Sequence, residues 1–245
     1  MIDLRPRFFG GVCALLGLAA LGACSGGDLA LPQPTLSVQL AVVSGNQQTG
    51  TVGERLPKPF VVEVRDADGQ AMTGRRVAFV LTGGPAPGTV APDTAVTDAD
   101  GQAVGEWVLG TMPGVYSAEA RLVPVPELPE PLTAQLTAAA KAAPPDTVRA
   151  LSRLSQSGRT GDAVSDPPAV RVVDRYGNPV GGVSVWWSVI SGGGKVSSPM
   201  TVTAEDGHAT VTWTVGNRTG VHQMTASVNG NVTGSPVVFT ALVLF

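Results

Sequence analysis

The chain has 245 residues, of which 14% are charged, and a formal net charge of −3 at pH 7. A mildly acidic chain without a basic cluster lacks the electrostatic footprint of a nucleic-acid-binding protein, so we expect no nucleic-acid partner. The 31 glycines, 20 prolines and many short runs of valine and threonine favour an all-β protein.

The amino-terminal segment has the layout of an export signal. Arg5 and Arg7 precede an apolar stretch over residues 8–21, which is shorter than the ~20 residues of a membrane-spanning helix. The stretch leads into the letters LGAC, which end at Cys24 and resemble the lipobox of bacterial lipoprotein precursors. The resemblance implies cleavage of a signal peptide over residues 1–23, a diacylglycerol on the Cys24 thiol and acylation of the new amino terminus.

This interpretation predicts a protein of the cell envelope whose membrane partner is bound through lipid on Cys24. In organisms resembling enteric bacteria, Ser25 in place of an aspartate would direct it to the outer membrane. Because Cys13 lies in the removed segment, the mature chain has one cysteine and no internal disulfide. The alternative is an ordinary secretory peptide cut near Ala23, which leaves Cys24 as an unmodified thiol.

Two copies of one sequence pattern follow. Residues between Gly53 and Phe79 match residues 108 positions later in the chain. Between Gly101 and Ala120, the matching residues lie 106 positions later. The change of spacing predicts that a loop after the middle strand is two residues shorter in the second copy. The predicted divisions are a flexible tether over residues 24–34, a first β-sandwich over 35–141, a linker over 142–146 and a second β-sandwich over 147–245. The proline-rich run over residues 124–131 is predicted to be a stiff loop within the first copy.

Each copy is predicted to contain about seven short strands. In the first, Phe60, Val62 and Val64 alternate with more polar residues before the acidic turn over residues 66–69. The second copy has a strand that is predicted to place Val185, Trp187 and Val189 inward and Trp186 outward. Ala209, Val211, Trp213 and Val215 alternate with three threonines in a later strand. Strands with one apolar and one polar face are typical of a two-sheet sandwich.

Three blocks in constant order resemble the bacterial immunoglobulin-like (Ig-like) domains of the intimin and invasin type. They are residues 64–74, 97–103 and 114–120 in the first copy, and 172–183, 203–209 and 220–226 in the second. The resemblance covers most of residues 35–245 and implies two tandem Ig-like antiparallel β-sandwiches that serve in adhesion or contact with another macromolecule. Tyr116 is placed to tie a Greek-key corner, and His222 stands at its position in the second copy.

The sequence carries no pattern of catalytic residues. The two histidines, His208 and His222, replace Gln102 and Tyr116 of the first copy, so neither position requires imidazole chemistry, and no nucleophile elbow is present. We therefore expect a protein that is not an enzyme and that needs no cofactor or metal. Two acidic pairs, Asp66 with Asp68 and Asp98 with Asp100, suggest calcium, but turn formation explains them better because further ligands are missing.

Trp186 is the candidate recognition residue outside the lipid anchor. An outward indole on a sheet face could stack on a sugar or on a protein partner, whereas packing under the neighbouring domain is the simpler interpretation. The sequence therefore predicts a non-enzymatic, lipid-anchored surface protein that displays Ig-like domains for an unknown protein or glycan partner. The alternative function is a carbohydrate- or small-ligand-binding module with Trp186 in its platform.

Overall fold

The computed structural model describes residues 37–124 and 131–245 of the chain. This part contains β-strands and no helix, so the predicted all-β class is confirmed. The predicted signal peptide over residues 1–23, the lipidation site Cys24, the tether over 24–34 and most of the proline-rich run lie outside the described residues. Within the described residues, no helix has the length and apolar character needed to cross a membrane.

In the described residues, nine strands form the first sandwich, and its two sheets have the orders β1-β3-β7-β5 and β2-β9-β8-β4-β6. The strands are β1 (Gln39–Ser44), β2 (Gln48–Thr51), β3 (Phe60–Arg65), β4 (Arg76–Gly83), β5 (Thr89–Ala91), β6 (Thr94–Val96), β7 (Gln102–Val108), β8 (Gly114–Leu122) and β9 (Thr133–Lys141).

Ten strands form the second sandwich in the same arrangement. The strands are β10 (Pro145–Ala150), β11 (Ser155–Arg159), β12 (Ala169–Asp174), β13 (Ser184–Ser191), β14 (Gly194–Val196), β15 (Met200–Val202), β16 (His208–Thr210), β17 (Trp213–Val215), β18 (Gly220–Val228) and β19 (Val237–Leu244). The orders β10-β12-β16 and β14-β17 correspond to the first sheet of the first sandwich, and β11-β19-β18-β13-β15 corresponds to the second sheet.

Alternating side chains build a separate apolar core in each sandwich. Phe60, Val62 and Val64 of β3 are buried in the first core, as their spacing predicts. Trp107 and Trp213 are among the largest fully buried side chains and hold equivalent places in the two cores. Burial of these large side chains supplies the main stabilisation of a chain that has no internal disulfide in its described residues.

The number of strands exceeds the predicted seven per copy partly because the first extended segment of each copy switches sheets and counts as two strands; in the second copy the counterpart of β7 is also divided, into β16 and β17. In the first copy, β1 pairs with β3 in one sheet, and β2 then pairs with β9 in the other. The second copy repeats this switch with β10 and β11. The pairs β2-β9 and β11-β19 are parallel, so each otherwise antiparallel sandwich contains one parallel pair, which the sequence pattern did not predict.

The predicted two-residue difference in loop length is confirmed by strand register. Leu81 lies opposite Ala118 in the first sandwich, and Val189 lies opposite Met224 at the equivalent place in the second. The following strands also match, because β5 pairs with β7 as β14 pairs with β17. The difference therefore lies between the paired strands, where residues 84–88 of the first copy correspond to residues 192–194 of the second.

Both sandwiches tie the same corner with different side chains. The Tyr116 hydroxyl donates a hydrogen bond to the Met112 carbonyl, with an O–O distance of 2.7 Å, as the Greek-key resemblance predicts. His222 places Nε2 2.8 Å from the Arg218 carbonyl, four residues upstream, as in the first copy. The Gly216 amide donates to His222 Nδ1, so Nδ1 is the acceptor in this contact and Nε2 is the nitrogen that donates to the Arg218 carbonyl. The corner is thus retained in the second copy, and His222 serves in structure.

Candidate interaction face

Trp186 lies on the outer face of the five-stranded sheet of the second sandwich. Its side chain is 44% exposed, whereas the adjacent Trp187 is buried and donates its indole N–H to the Thr201 hydroxyl at 2.8 Å. The alternation of inward and outward side chains along β13 therefore follows the prediction. Packing does not cover the outer surface of the Trp186 indole, although packing was the simpler interpretation of the sequence.

The outward residues around Trp186 carry no formal charge. We call this set the neutral face; it consists of Ser184, Trp186, Ser188 and Ile190 of β13, Met200 and Val202 of β15, Val221, Gln223, Thr225 and Ser227 of β18, Val238, Thr240, Leu242 and Leu244 of β19, and Ser155 and Ser157 of β11. The first charged outward residue along these strands is Arg159, at the end of the edge strand β11.

The equivalent sheet face of the first sandwich is charged. Strand register gives the correspondence, because Ala78 pairs with Thr94 and Arg121 in the first copy, just as Trp186 pairs with Met200 and Ser227 in the second. We call this set the charged face; its charged members are Arg76, Glu119, Arg121 and Lys141. At the positions of these four charges the second copy has Ser184, Leu244 and two hydroxyl residues of β18, Thr225 and Ser227, whereas at the edge it has Arg159 in place of Thr51.

An ion pair holds the centre of the charged face. Arg121 Nε lies 2.6 Å from a Glu119 carboxylate oxygen, and Gln135 donates to the other oxygen at 2.9 Å. The hydrogen bond from Arg121 lowers the pKa of Glu119 below its usual value and outweighs the opposing effect of burial. Thr225 and Val238 stand at the positions of Glu119 and Gln135 in the second copy, so this polar network is absent from the neutral face.

Apolar side chains of the neutral face remain accessible to a partner. Met200 lies directly opposite Trp186 in the neighbouring edge strand, and Val202 follows it; all three are exposed. Across the sheet, Val238 and Leu242 are also exposed. Exposed apolar groups that lie together on one face mark interaction surfaces more reliably than single ones, and Trp and Met are enriched at such surfaces.

A second feature that the sequence did not reveal is the joint between the sandwiches, which belong to one compact unit. Asp174, at the end of β12, is buried, and its Oδ1 accepts the amide N–H groups of Tyr176 and Asn178. Its Oδ2 accepts the Ala143 amide at 2.9 Å and the Asn178 side-chain amide. The same Asn178 nitrogen donates to the Thr111 carbonyl of the first sandwich at 2.8 Å.

Hydrogen bonds and a close aromatic contact thus connect the two sandwiches. Burial raises the pKa of Asp174, but the hydrogen bonds from Asn178, Ala143 and Tyr176 outweigh it and keep the pKa below its usual value. Tyr176 lies so close to Gly53 that a Cβ atom there would overlap its hydroxyl, and the backbone φ of Gly53 is +70°. A glycine is therefore required at the point where the ring meets the first sandwich.

The acidic turns are explained by backbone hydrogen bonds. Asp66 Oδ1 accepts the Asp68 and Gln70 amides, and Asp98 Oδ1 accepts the Asp100 and Gln102 amides, all at 2.8–3.0 Å. These bonds support the turn interpretation of both pairs. Among the described residues, no cluster of three or more His, Cys, Asp and Glu side chains is arranged to hold a metal ion.

The two histidines lie in different surroundings. His208 is half-exposed, with Nδ1 3.3 Å from an Asp206 carboxylate oxygen in a surface turn. His222 is buried in the corner described above. The structure therefore does not bring the two rings into a common site.

Comparisons with known proteins agree with this architecture. Residues 165–241 match the family model described as bacterial Ig-like domain (group 1). The predicted resemblance to bacterial Ig-like domains is confirmed. Among solved structures, the Escherichia coli adhesin FdeC shares 21% sequence identity with this chain, over 84% of this chain and 65% of that one, with a TM-score of 0.54. This similarity shows a shared fold, and the chain spans 65% of the length of the FdeC structure.

Two further similar structures are members of the intimin and invasin group. The D00-D0 domain of intimin is 16% identical, with 84% of this chain and 100% of that chain covered and a TM-score of 0.44. Invasin, described as a bacterial integrin-binding protein, is 19% identical, with 85% of this chain and 39% of that chain covered and a TM-score of 0.37. No curated protein matches the sequence of the chain.

Proposed function

We propose that the chain is a non-enzymatic, lipid-anchored protein of the cell envelope, and that its two Ig-like domains contact another macromolecule in adhesion or protein assembly. The observation that carries this proposal is the neutral face, where the second sandwich exposes Trp186 and Met200 at positions that hold Ala78 and Thr94 in the first. The smaller number of charges on this face suits a protein contact, because a desolvated unpaired charge opposes binding.

The joint supports the same proposal. A face that must meet a partner in a defined orientation benefits from a support that does not bend freely. The Asp174 carboxylate, the Asn178 side chain and the Tyr176 ring connect the second sandwich to the first through hydrogen bonds and a close contact. The first sandwich would then act as a spacer between the membrane and the neutral face.

Site-specific photo-crosslinking in living cells tests the contact. A photoreactive residue at Ser188 lies in the neutral face, and the same residue at Val80 lies at the equivalent place in the charged face. We expect adducts with a macromolecule from position 188, fewer from position 80, and loss of the former in a Trp186→Lys background. Equal adducts from both positions, or none from either, would contradict the proposal.

A carbohydrate is the second candidate partner, because the half-exposed Trp186 indole has the serine hydroxyls of Ser184, Ser188 and Ser227 on its own face. Aromatic rings stack on the apolar faces of sugars, and hydroxyl groups bond to sugar hydroxyls. A glycan array probed with the native chain and with Trp186→Ala distinguishes the two. A glycan-binding signal that Trp186→Ala abolishes would favour carbohydrate binding over the protein contact.

The anchor is tested separately. Mass spectrometry of the mature amino-terminal peptide is expected to show an acylated Cys24, and Cys24→Ser is expected to move the protein from the detergent phase to the aqueous phase. An unmodified Cys24 in a host that processes lipoproteins would remove the anchor from the proposal and leave the contact face unaffected.

A further inference from the structure

We infer that the neutral face binds the neutral face of a second copy of this chain across a two-fold axis. The inference rests on the proposed function, since it names the partner of the proposed contact. It follows from the chemistry of the face, from the position of its middle strand and from its size.

Charge is the first argument. In a two-fold interface, each side chain near the axis meets its own counterpart, so a charged residue there meets an identical charge. The outward residues of β13, β15, β18 and β19 carry no formal charge, and the one outward charge of β11, Arg159, lies at the end of that edge strand. The charged face has Glu119 and Arg121 in its middle strand β8, so a central two-fold contact between charged faces would bring like charges together.

The polar groups of the neutral face are also suited to meet themselves. Serine and threonine hydroxyls and the glutamine amide each donate and accept hydrogen bonds, so two identical groups can bond to each other. The middle strand β18 presents Val221, Gln223, Thr225 and Ser227 outward. A lysine, which only donates, or a carboxylate, which only accepts, would lack this self-complementarity.

The strand order then places the apolar anchors against a partner surface. Because β18 is the middle strand, a two-fold axis along it puts β13 of each copy over β19 of the other. Trp186 of one copy would thereby lie nearest Val238 of the other, because Trp186 pairs with Ser227 and Val238 pairs with Thr225, two residues away along β18. Sheets that pack in this way lie about 10 Å apart, with side chains of both faces between them.

The size of the face sets the expected strength. The five strands have five, eight, nine, eight and three residues and lie about 4.8 Å apart, so the face measures roughly 500 Å². A standard protein interface buries about 800 Å² per partner, so the expected dimer is weak and concentration-dependent. Confinement of both copies to one membrane would raise their effective concentration.

Sedimentation velocity of the full chain in a non-ionic detergent, over a wide range of concentrations, measures the association. We expect a monomer–dimer equilibrium. Thr225→Glu, which installs the charge that Glu119 has in the first sandwich, is expected to weaken the dimer by roughly 100-fold, because both copies carry the substitution. Val80→Glu, on the charged face, is the matched control and is expected to leave the association unchanged.

Charge pairing distinguishes a two-fold contact from any other. Thr225→Glu and Thr225→Lys are each expected to be monomeric, whereas an equimolar mixture of the two is expected to form the dimer again. Trp186→Lys is expected to abolish the dimer, both alone and in the mixture of the two charge variants. Circular dichroism spectra and thermal unfolding are expected to show that each variant is folded, because the substituted residues point outward.

The outcomes separate this inference from the proposed function. A chain that stays monomeric at every concentration, or a mixture of charge variants that fails to associate, overturns the two-fold contact. If Ser188 photo-adducts with another macromolecule persist in that case, the proposed function stands with a different partner. Absence of both the dimer and the adducts overturns both.

Discussion

Trp107 and Trp213 occupy the same place in the two cores, whereas Arg121 and Ser227 occupy the same place on the two outer sheet faces and differ in charge. The two copies thus share the buried residues that packing requires and differ in the residues that are exposed to solvent. Core positions tolerate little change because each buried side chain fills a fixed volume. Outward positions have no such requirement, so the large apolar residues of one copy have another cause, and the proposed contact with a partner would supply it.

The largest expected effect tests the shared interior. Trp107→Ala and Trp213→Ala are each expected to lower the free energy of unfolding of their own sandwich by about 3 to 5 kcal/mol, because each leaves a large cavity in a packed core. Differential scanning calorimetry is expected to show one lowered transition for each variant. Trp186→Ala, on the outer face, is the control and should change stability by less than about 1 kcal/mol. Equal lowering of both transitions by one core variant would show that the two cores do not unfold separately.

The acidic turns give the next largest difference between the copies. Asp174→Ala leaves four buried or partly buried N–H groups without an acceptor, so we expect a loss of about 3 kcal/mol. Asp66→Ala, at the equivalent turn of the first copy, removes two bonds to exposed amides and is expected to cost about 1 kcal/mol. Urea unfolding of both variants measures the difference. Equal losses would show that the joint adds nothing to the stability of the turn.

The dependence of stability on acid pH tests the contribution of Asp174 in a second way. The folded chain holds the pKa of Asp174 below its unfolded value, so its carboxylate contributes stability above the unfolded pKa, which is about 3.9 for an aspartate. That contribution is lost as the pH falls through the lower, folded pKa. The difference in stability between native chain and Asp174→Ala is therefore expected to be constant near neutral pH and to shrink below about pH 4. A difference that stays constant in acid would show that another property of the side chain stabilises the joint.

The interior could be predicted because it is periodic in sequence. Phe60, Val62 and Val64 alternate over a single strand, and the change of repeat spacing located the shortened loop without any knowledge of the strands around it. Tyr116 was recognised because its place after Gly114 is a property of the local chain. Each of these predictions needed only neighbours within one strand or one repeat.

The neutral face and the joint could not be predicted in this way. Trp186 was identified as an outward residue, but its partner Met200 lies in another strand, and only the register of the folded sheet brings the two together. The same holds for Asp174 and Ala143, which meet across the linker. A signal was present, however, since Tyr176 and Asn178 stand where the first copy has Asp68 and Gln70. The turns share only their first aspartate and their glycine, and the differences between them are the sequence signal of the joint.

The smallest expected effect concerns the two corners. Tyr116→Phe loses one hydrogen bond to the Met112 carbonyl and is expected to cost about 1 kcal/mol. His222→Phe loses bonds to both ring nitrogens and is expected to cost about 1 to 2 kcal/mol. His222→Tyr should restore the bond to the carbonyl four residues upstream, because the glycine that faces each ring leaves similar space in both copies. Its stability, measured by urea unfolding, is expected to lie within about 1 kcal/mol of the native chain. If His222→Tyr were as unstable as His222→Phe, the two corners would not be interchangeable. The imidazole would then be required to accept the hydrogen bond from the Gly216 amide.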